Sequence, residues 1–256
     1  MKNYIELSKN QAVSMSDSWY ELADTKHFWA QWRFRVLIKI CSNYIKPETK
    51  ILEIGCGNGL VMKQFEDKKG VVIDGCDLNR AAFQDLCDVS GKVFLYDIYE
   101  LNVELTGKYD IVILLDVLEH IENDTDFLIT ATKYLKDDGL IIVSVPAIQQ
   151  LYSVYDKLIG HKRRYSKKEI RKLFSDADIM LIDCKYWGLS LLPLTFLRKQ
   201  LLRQTSEMNA IKLGFKSPNK SFNWLMLMVM KLETFFFSSV IAGNSIIASG
   251  KVKAKK

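Results

Sequence analysis

From residue 50 to 147 the chain alternates short apolar runs with stretches in which apolar residues recur at helical spacing. "KILEIG" precedes "LVMKQFED", "VVIDGCD" precedes "NRAAFQDLCD", and "KVFLYD" follows; "YDIVILLD" then leads into "DTDFLITATKYLKDDG" before "LIIVSVP". The runs at 111–115 and 140–145 are apolar at consecutive positions rather than alternate ones, the mark of strands buried on both faces. Strands alternating with helices predict an open α/β sheet whose ligand lies at the carboxyl ends of the strands. "MLIDCKYWG" and "SIIASGKVK" read as a sixth and a seventh strand.

Two segments fall outside that alternation. Residues 17–45 look helical and unusually aromatic ("WYELADTKHFWAQWRFRVLIKI"), and residues 189–237 form an apolar, basic insertion between the last two strands. The expected organisation is a helical cap over 1–46, a core over 47–188, and an insertion with a final strand over 189–256 that completes the same domain.

Composition supports a soluble globular chain, with 48% hydrophobic and 26% charged residues, and only four prolines to serve linkers. The opening "MKNYIELSKN" lacks a charged-then-apolar leader pattern, so the expected location is the cytoplasm. Cys41, Cys56, Cys76, Cys87 and Cys184 are scattered, which predicts reduced thiols and no metal site. The net charge of +6 conceals a division: residues 151–256 carry 20 Lys and Arg against 7 Asp and Glu, whereas residues 1–150 are net acidic. A basic second part suits an anionic partner.

The glycines at 55, 57 and 59 give G-x-G-x-G after the first core strand. A dinucleotide fingerprint wants G-x-G-x-x-G, but Leu60 stands at its third glycine, and no P-loop Lys-Ser or Lys-Thr follows. Both phosphate readings lose ground. Asp77 ends the next strand, where a carboxylate suits vicinal ribose hydroxyls or, alternatively, caps the following helix. Asp97 ends "KVFLYD", and Asp116, Glu119 and His120 fall in "LLDVLEHI".

Together these motifs resemble the class I S-adenosylmethionine-dependent methyltransferases, in the branch of ubiquinone-biosynthesis and many small-molecule enzymes. The resemblance covers roughly residues 48–188 and returns near 243–252. It implies a Rossmann-like seven-stranded sheet, parallel except for its last strand, with helices on both faces. It also implies that Glu53 and the backbone of Gly55, Cys56, Gly57 and Gly59 surround the methionine part of the cofactor. Asp77 would hold the ribose, with Leu78 against the adenine. Asp97 and Ile98 would meet the adenine edge, and Asp116 would border the sulfonium.

Methyl transfer from a sulfonium needs alignment of the nucleophile and exclusion of water, with a base only where the acceptor must lose a proton. His120 and His161 are the candidate bases, each with a packing role as its alternative, and Glu119 could orient His120. His27 reads better as an aromatic helix contact than as part of a lid. Within "DKLIGHKRRYS", Arg163, Arg164 and Tyr165 are candidate acceptor contacts, since guanidinium groups grip phosphate or carboxylate bidentately. A solvated helix start, with Ser166 opening the capping box "SKKE", is the alternative; it accounts well for Lys167 and Lys168 and less well for the preceding "GHKRRY".

The insertion holds "WGLSLLPLTFLRKQLLR" and "FNWLMLMVMKLETFFFSSVI", neither able to span a bilayer because Pro193, Lys231 and Glu233 interrupt them. They either cover the sheet or form an interfacial surface for anionic membranes, with Met226, Met228 and Met230 suited to an adaptable lipid pocket. The expected activity is S-adenosylmethionine-dependent methylation, on oxygen, of a small-molecule or lipid- or glycan-linked acceptor that carries negative charge. An RNA methyltransferase is the first alternative, weakened because strand four lacks the [ND]-P-P-[YF] ending of many base-amine enzymes. A non-catalytic cofactor-binding protein is the second.

Overall fold

The computed structural model describes residues 4–11, 25–202, 219–236 and 240–252. Its centre is the strand β5 (Tyr109–Leu115), fully apolar from Ile111 onward and buried on both faces. On one side of it lie β2 (Ile51–Ile54), β3 (Asp74–Asp77), β4 (Val93–Leu95) and, at the edge, β1 (Ile5–Glu6). On the other lie β6 (Leu135–Pro146), β8 (Ser245–Val252) and β7 (Ile179–Trp187). All pairs are parallel except those of β8, which runs antiparallel to both neighbours.

Alternate residues of the strands feed two core layers. Ile111, Ile113 and Leu115 pack with α1 (Phe28–Cys41) and α2 (Leu60–Lys69), while Val112 and Leu114 pack with α3 (Asp124–Thr132) and α5 (Lys167–Asp176). A five-residue helix, α4 (Val154–Leu158), follows β6. The insertion supplies α6 (Leu192–Leu202) and α7 (Lys220–Phe236).

Three expectations need correction. The sheet has eight strands among the described residues, because Ile5 and Glu6 pair with Phe94 and Leu95 and occupy the edge of β4. A two-residue strand has no periodicity to read, and it falls in the segment expected to be a helical cap; the part of that cap at 12–24 lies outside the described residues. "NRAAFQDLCD" forms a 3-10 turn, Arg80–Phe83, rather than a full helix, and beyond it the Cys87 N–H bonds to the Asn58 carbonyl instead of a helical partner. Finally, "KYLKDDG" is not helical. Tyr134 is buried with its hydroxyl donating to the Ile98 carbonyl at 2.6 Å, and β6 begins at Leu135.

The insertion covers the sheet with one side and leaves apolar residues exposed on the other. Met226 and Met230 are buried in the layer that holds Trp32 and Trp187, so these two methionines serve the core rather than a lipid pocket. Glu233 is buried as well, and its carboxylate accepts from the backbone N–H groups of Gly188, Leu189 and Ser190 at 2.9–3.1 Å. The opposite faces leave Phe196, Leu197, Leu201, Trp224 and Phe235 exposed. No helix among the described residues is long and apolar enough to cross a membrane.

Candidate active site

β2, β5 and β6 all point their carboxyl ends at one cavity of about 340 Å³. Its floor is the glycine turn after β2, where Gly55 and Gly57 have φ of +77° and +55°. A side chain on Gly55 would be strained by that φ and would also drive a Cβ to 2.5 Å from Val117, so the turn admits only glycine there. Gly59, also left-handed, precedes the first residue of α2 and does not line the cavity.

Glu53 reaches the cavity from β2, almost wholly buried, and its Oε2 has no hydrogen-bond partner. Burial pushes its carboxyl up to about 8, against the opposing pull of Arg33. A buried acid with an unpartnered oxygen at the glycine turn suits the ammonium of an amino-acid group, so the residues present fit the methionine end of S-adenosylmethionine. Asp116 turns away from the end of β5 with φ +58°, and its Oδ2 accepts from Arg33 Nη1 of α1 at 2.6 Å. The Arg33 guanidinium in turn lies 4.5 Å from the Trp29 ring centroid. The aromatic helix therefore closes one wall, and His27 sits at its start, accepting from the Trp29 N–H at 3.1 Å.

The opposite wall brings together residues far apart in sequence. Glu119 is fully buried, neither carboxylate oxygen has a hydrogen-bond partner, and burial with Asp116 nearby raises its pKa well above the usual carboxylate range. His120 donates to the Gly160 carbonyl, and burial together with the neighbouring His161 drops its pKa to about 3, so it is neutral. The two imidazoles meet edge to face with centroids 4.8 Å apart. His161 Nδ1 lies 3.2 Å from Asp156 Oδ1, and its Nε2 lies 3.6 Å from Glu119 Oε1. Asp156 also takes the Arg164 Nε–H at 2.7 Å. Burial would raise the Asp156 carboxyl, but its bonds to His161 and Arg164 outweigh that and hold it well below normal.

Glu53, Gly55, Cys56, Gly57, Asp116, Glu119, His120, His161 and Arg164 thus share one cavity with His27, whereas Gly59, Asp77, Leu78, Asp97, Ile98, Arg163 and Tyr165 do not line it. Arg163 pairs with Asp124 at 3.2 Å, and the Tyr165 hydroxyl donates to that same carboxylate at 2.8 Å, so both brace α3 rather than face an acceptor. Outside the cavity lining, Asp77 is buried and accepts from the amides of Gly57 at 2.8 Å and Asn79 at 2.9 Å. Asp97 accepts from Tyr99 N and from the Gln11 side chain, both at 3.0 Å. Gln11 N also donates to the Leu78 carbonyl, while the Ile98 carbonyl is taken by Tyr134. The strand β1 brings Gln11 there, which the sequence reading missed. It also missed Arg33, Asp156 and Arg198. Of these, only Asp156 left a signal, as the fourth residue of a capping box opened by Ser153.

The sequence reading assigned no metal, yet the ligand atoms of Glu119, His120 and His161 all lie within 4.8 Å of one another. One carboxyl group and two imidazoles form a donor set for a divalent transition metal, and Asp156 and the Gly160 carbonyl occupy the outer positions that orient such imidazoles.

Comparisons with known proteins agree with this geometry. A family described as "Methyltransferase domain" matches residues 23–183. The chain is 26% identical over 167 residues to a ubiquinone biosynthesis O-methyltransferase of Rickettsia canadensis, covering 59% of this chain and 71% of that protein. Among solved structures, phosphoethanolamine N-methyltransferase 2 of Haemonchus contortus with bound S-adenosylmethionine superposes with a TM-score of 0.59 at 14% identity, covering 94% of this chain and 58% of that one. The [4+2]-cyclase SpnF superposes equally well, with a TM-score of 0.59 at 13% identity over 91% of this chain and 86% of that one, so the fold alone does not name a reaction. The family match, the glycine turn and the acids at the strand ends identify the chain as a member of the methyltransferase-domain family, a class I enzyme whose cofactor is S-adenosylmethionine.

Proposed function

We propose that the protein methylates a hydroxyl of a small-molecule or lipid-linked acceptor. The Asp156–His161 pair on the cavity wall carries this reading. With its Nδ1–H directed to Asp156, the imidazole presents Nε2 as the acceptor for a hydroxyl proton. Such a pair is needed for oxygen acceptors and dispensable for amines that are already nucleophilic. Glu53 and the Gly55–Gly57 backbone would hold the methionine part, and Asp116, kept in place by Arg33, would border the sulfonium. Neutral Glu119 would donate a hydrogen bond to the acceptor. The ubiquinone O-methyltransferase relatives support a small acceptor methylated on oxygen.

The test is transfer of labelled methyl from S-adenosylmethionine to cell extract separated into lipid, glycan, small-molecule and RNA pools. Label should enter a non-RNA pool as a base-stable ether. His161→Gln should lower its rate on the order of 10²- to 10⁴-fold, the usual worth of a general base, with cofactor affinity nearly intact. Label confined to RNA would overturn the reading.

A second reading rests on the unpartnered Glu119 oxygens. Glu119, His120 and His161 would hold a divalent cation, which would acidify a bound acceptor hydroxyl. Here metal analysis of the purified protein decides. Stoichiometric zinc, iron or manganese, lost in Glu119→Gln, would favour it over the free base.

A further inference from the structure

Three arginines line the cavity, and two of them are neutralised: Arg33 by Asp116 and Arg164 by Asp156. Arg198 of α6 is different. Its guanidinium carbon lies 4.0 Å from the centroid of the Tyr155 ring, and among the described residues no carboxylate comes within 4.0 Å of it. Stacking satisfies one face of the guanidinium, and among the described residues its edge N–H donors have no hydrogen-bond acceptor. Burial works against the charge of Arg198, and a partly desolvated cation with idle donors gains from an oxyanion placed at that edge.

A second donor lies in the same wall. Thr195, one turn before Arg198 on α6, donates its hydroxyl to Asn244 Oδ1 at 2.9 Å, which assigns the amide NH₂ of Asn244 to the other side. Thr195, Arg198 and Asn244 all line the cavity. α4 links this donor set to the proposed base, since Tyr155 lies under Arg198 and the next residue, Asp156, bonds His161.

We propose that Arg198, with Asn244 beside it, recognises a phosphate or carboxylate group on the methyl acceptor, so that the acceptor is an oxyanion-bearing molecule held at one end while its hydroxyl meets His161. The inference rests on the methyl-transfer reading of the cavity. It moves anion recognition from Arg163 and Arg164, whose guanidinium groups bond to Asp124 and Asp156, to a residue of the insertion.

The experiment is calorimetric titration of the full chain, saturated with S-adenosylhomocysteine, with inorganic phosphate, with benzoate and with neutral benzamide. At least one anion should bind at millimolar concentration or better, and added NaCl should weaken it. Arg198→Gln should reduce that affinity at least ~10-fold, about 1.4 kcal/mol. Arg198→Lys should recover part of it, because lysine keeps the charge without the fork. Affinity for S-adenosylhomocysteine should change less than about twofold in both variants, a shift worth only a few tenths of a kcal/mol. Binding of phosphate alone would identify a phosphorylated acceptor, and of benzoate alone a carboxylated one. The proposal is overturned if Arg198→Gln binds the anion as wild type does, if benzamide binds as tightly as benzoate while phosphate does not bind, or if neither anion binds at tens of millimolar. Failure of S-adenosylhomocysteine to bind would instead count against the methyl-transfer reading, and the same titrations of the free protein would still decide the role of Arg198.

Discussion

The Oδ1 of Asp156 accepts from both His161, 3.2 Å away at Nδ1, and Arg164, 2.7 Å away at Nε, while its Oδ2 takes the Ser153 N–H at 2.9 Å. One buried carboxylate therefore starts a helix, neutralises a buried arginine and orients the proposed base. Those tasks can be separated by measurement, because they fail in different ways.

Asp156→Asn removes the charge and keeps the shape. It leaves the Arg164 guanidinium, only 3% exposed, without a counter-ion, which should cost about 3–5 kcal/mol in urea unfolding near neutral pH. The pH dependence has a definite sign. The folded-state pKa of Asp156 is depressed, so its contribution is fully present above the unfolded value of about 3.9 and is lost as pH falls through the folded value. Wild type should therefore lose stability in acid more steeply than the Asn variant. Parallel curves in acid would show that Asp156 is not the anchor of this segment.

Glu53 provides the opposite case. Its folded pKa of about 8 lies above the unfolded carboxylate value, so its stabilising, protonated form is present at low pH and is lost as pH rises through about 8. The ammonium of the cofactor favours the ionised carboxylate, so binding must release a proton below that value. Affinity for S-adenosylhomocysteine should rise from about pH 6 to about pH 8, by at most tenfold per pH unit. Glu53→Gln should flatten this slope and weaken binding at the upper end. Calorimetry in two buffers of different ionisation enthalpy counts the proton directly, and no proton release would remove Glu53 from the ammonium site.

Legibility in the sequence followed locality. The glycine turn, the strands buried on both faces and the acids at strand ends are local patterns, so the parallel core could be read from the sequence, while the antiparallel last strand came only from the family resemblance. The wall of the site is not local. Arg33 reaches Asp116 across 83 residues, and His161 reaches Glu119 only because the turn at Gly160, with φ +87°, folds the chain back against the 3-10 turn after β5. Arg163, Arg164 and Tyr165 looked alike in sequence as acceptor contacts, yet only Arg164 lines the cavity, since the other two bond to Asp124. The eighth strand is too short to leave a pattern, and its consequence is that Gln11 occupies the Asp97 carboxylate.

Glu233 interrupted an apolar stretch in sequence, and its burial gives the reason for a charge there. It satisfies three backbone donors at the turn that begins the insertion. Glu233→Ala would leave buried N–H groups without acceptors, at about 1–3 kcal/mol each before relaxation. A loss of at least ~2 kcal/mol in urea unfolding is expected. Glu233→Gln, retaining one carbonyl oxygen, should lose less. A neutral Ala variant would mean that water replaces the carboxylate at no cost.

The exposed faces of α6 and α7 bear on where the acceptor comes from. Phe196, Leu201, Trp224 and Phe235 are 55%, 64%, 64% and 82% exposed, and Lys199, Lys220 and Lys231 lie on the same two helices. Apolar and aromatic groups beside cations suit the headgroup region of an anionic bilayer. The same α6 carries Arg198 at the cavity, so a docked α6 would place the anion-recognising residue near the membrane surface. Co-sedimentation with phosphatidylglycerol vesicles at low salt should retain the protein, and phosphatidylcholine vesicles should not. A Trp224→Ser, Phe235→Ser double variant should weaken retention several-fold while leaving the unfolding midpoint nearly unchanged, because both side chains are exposed in the folded state. Equal recovery of wild type and variant would assign these residues to something other than a lipid surface. Retention by the variant at low salt but not at high salt would leave only the lysines as the membrane contact.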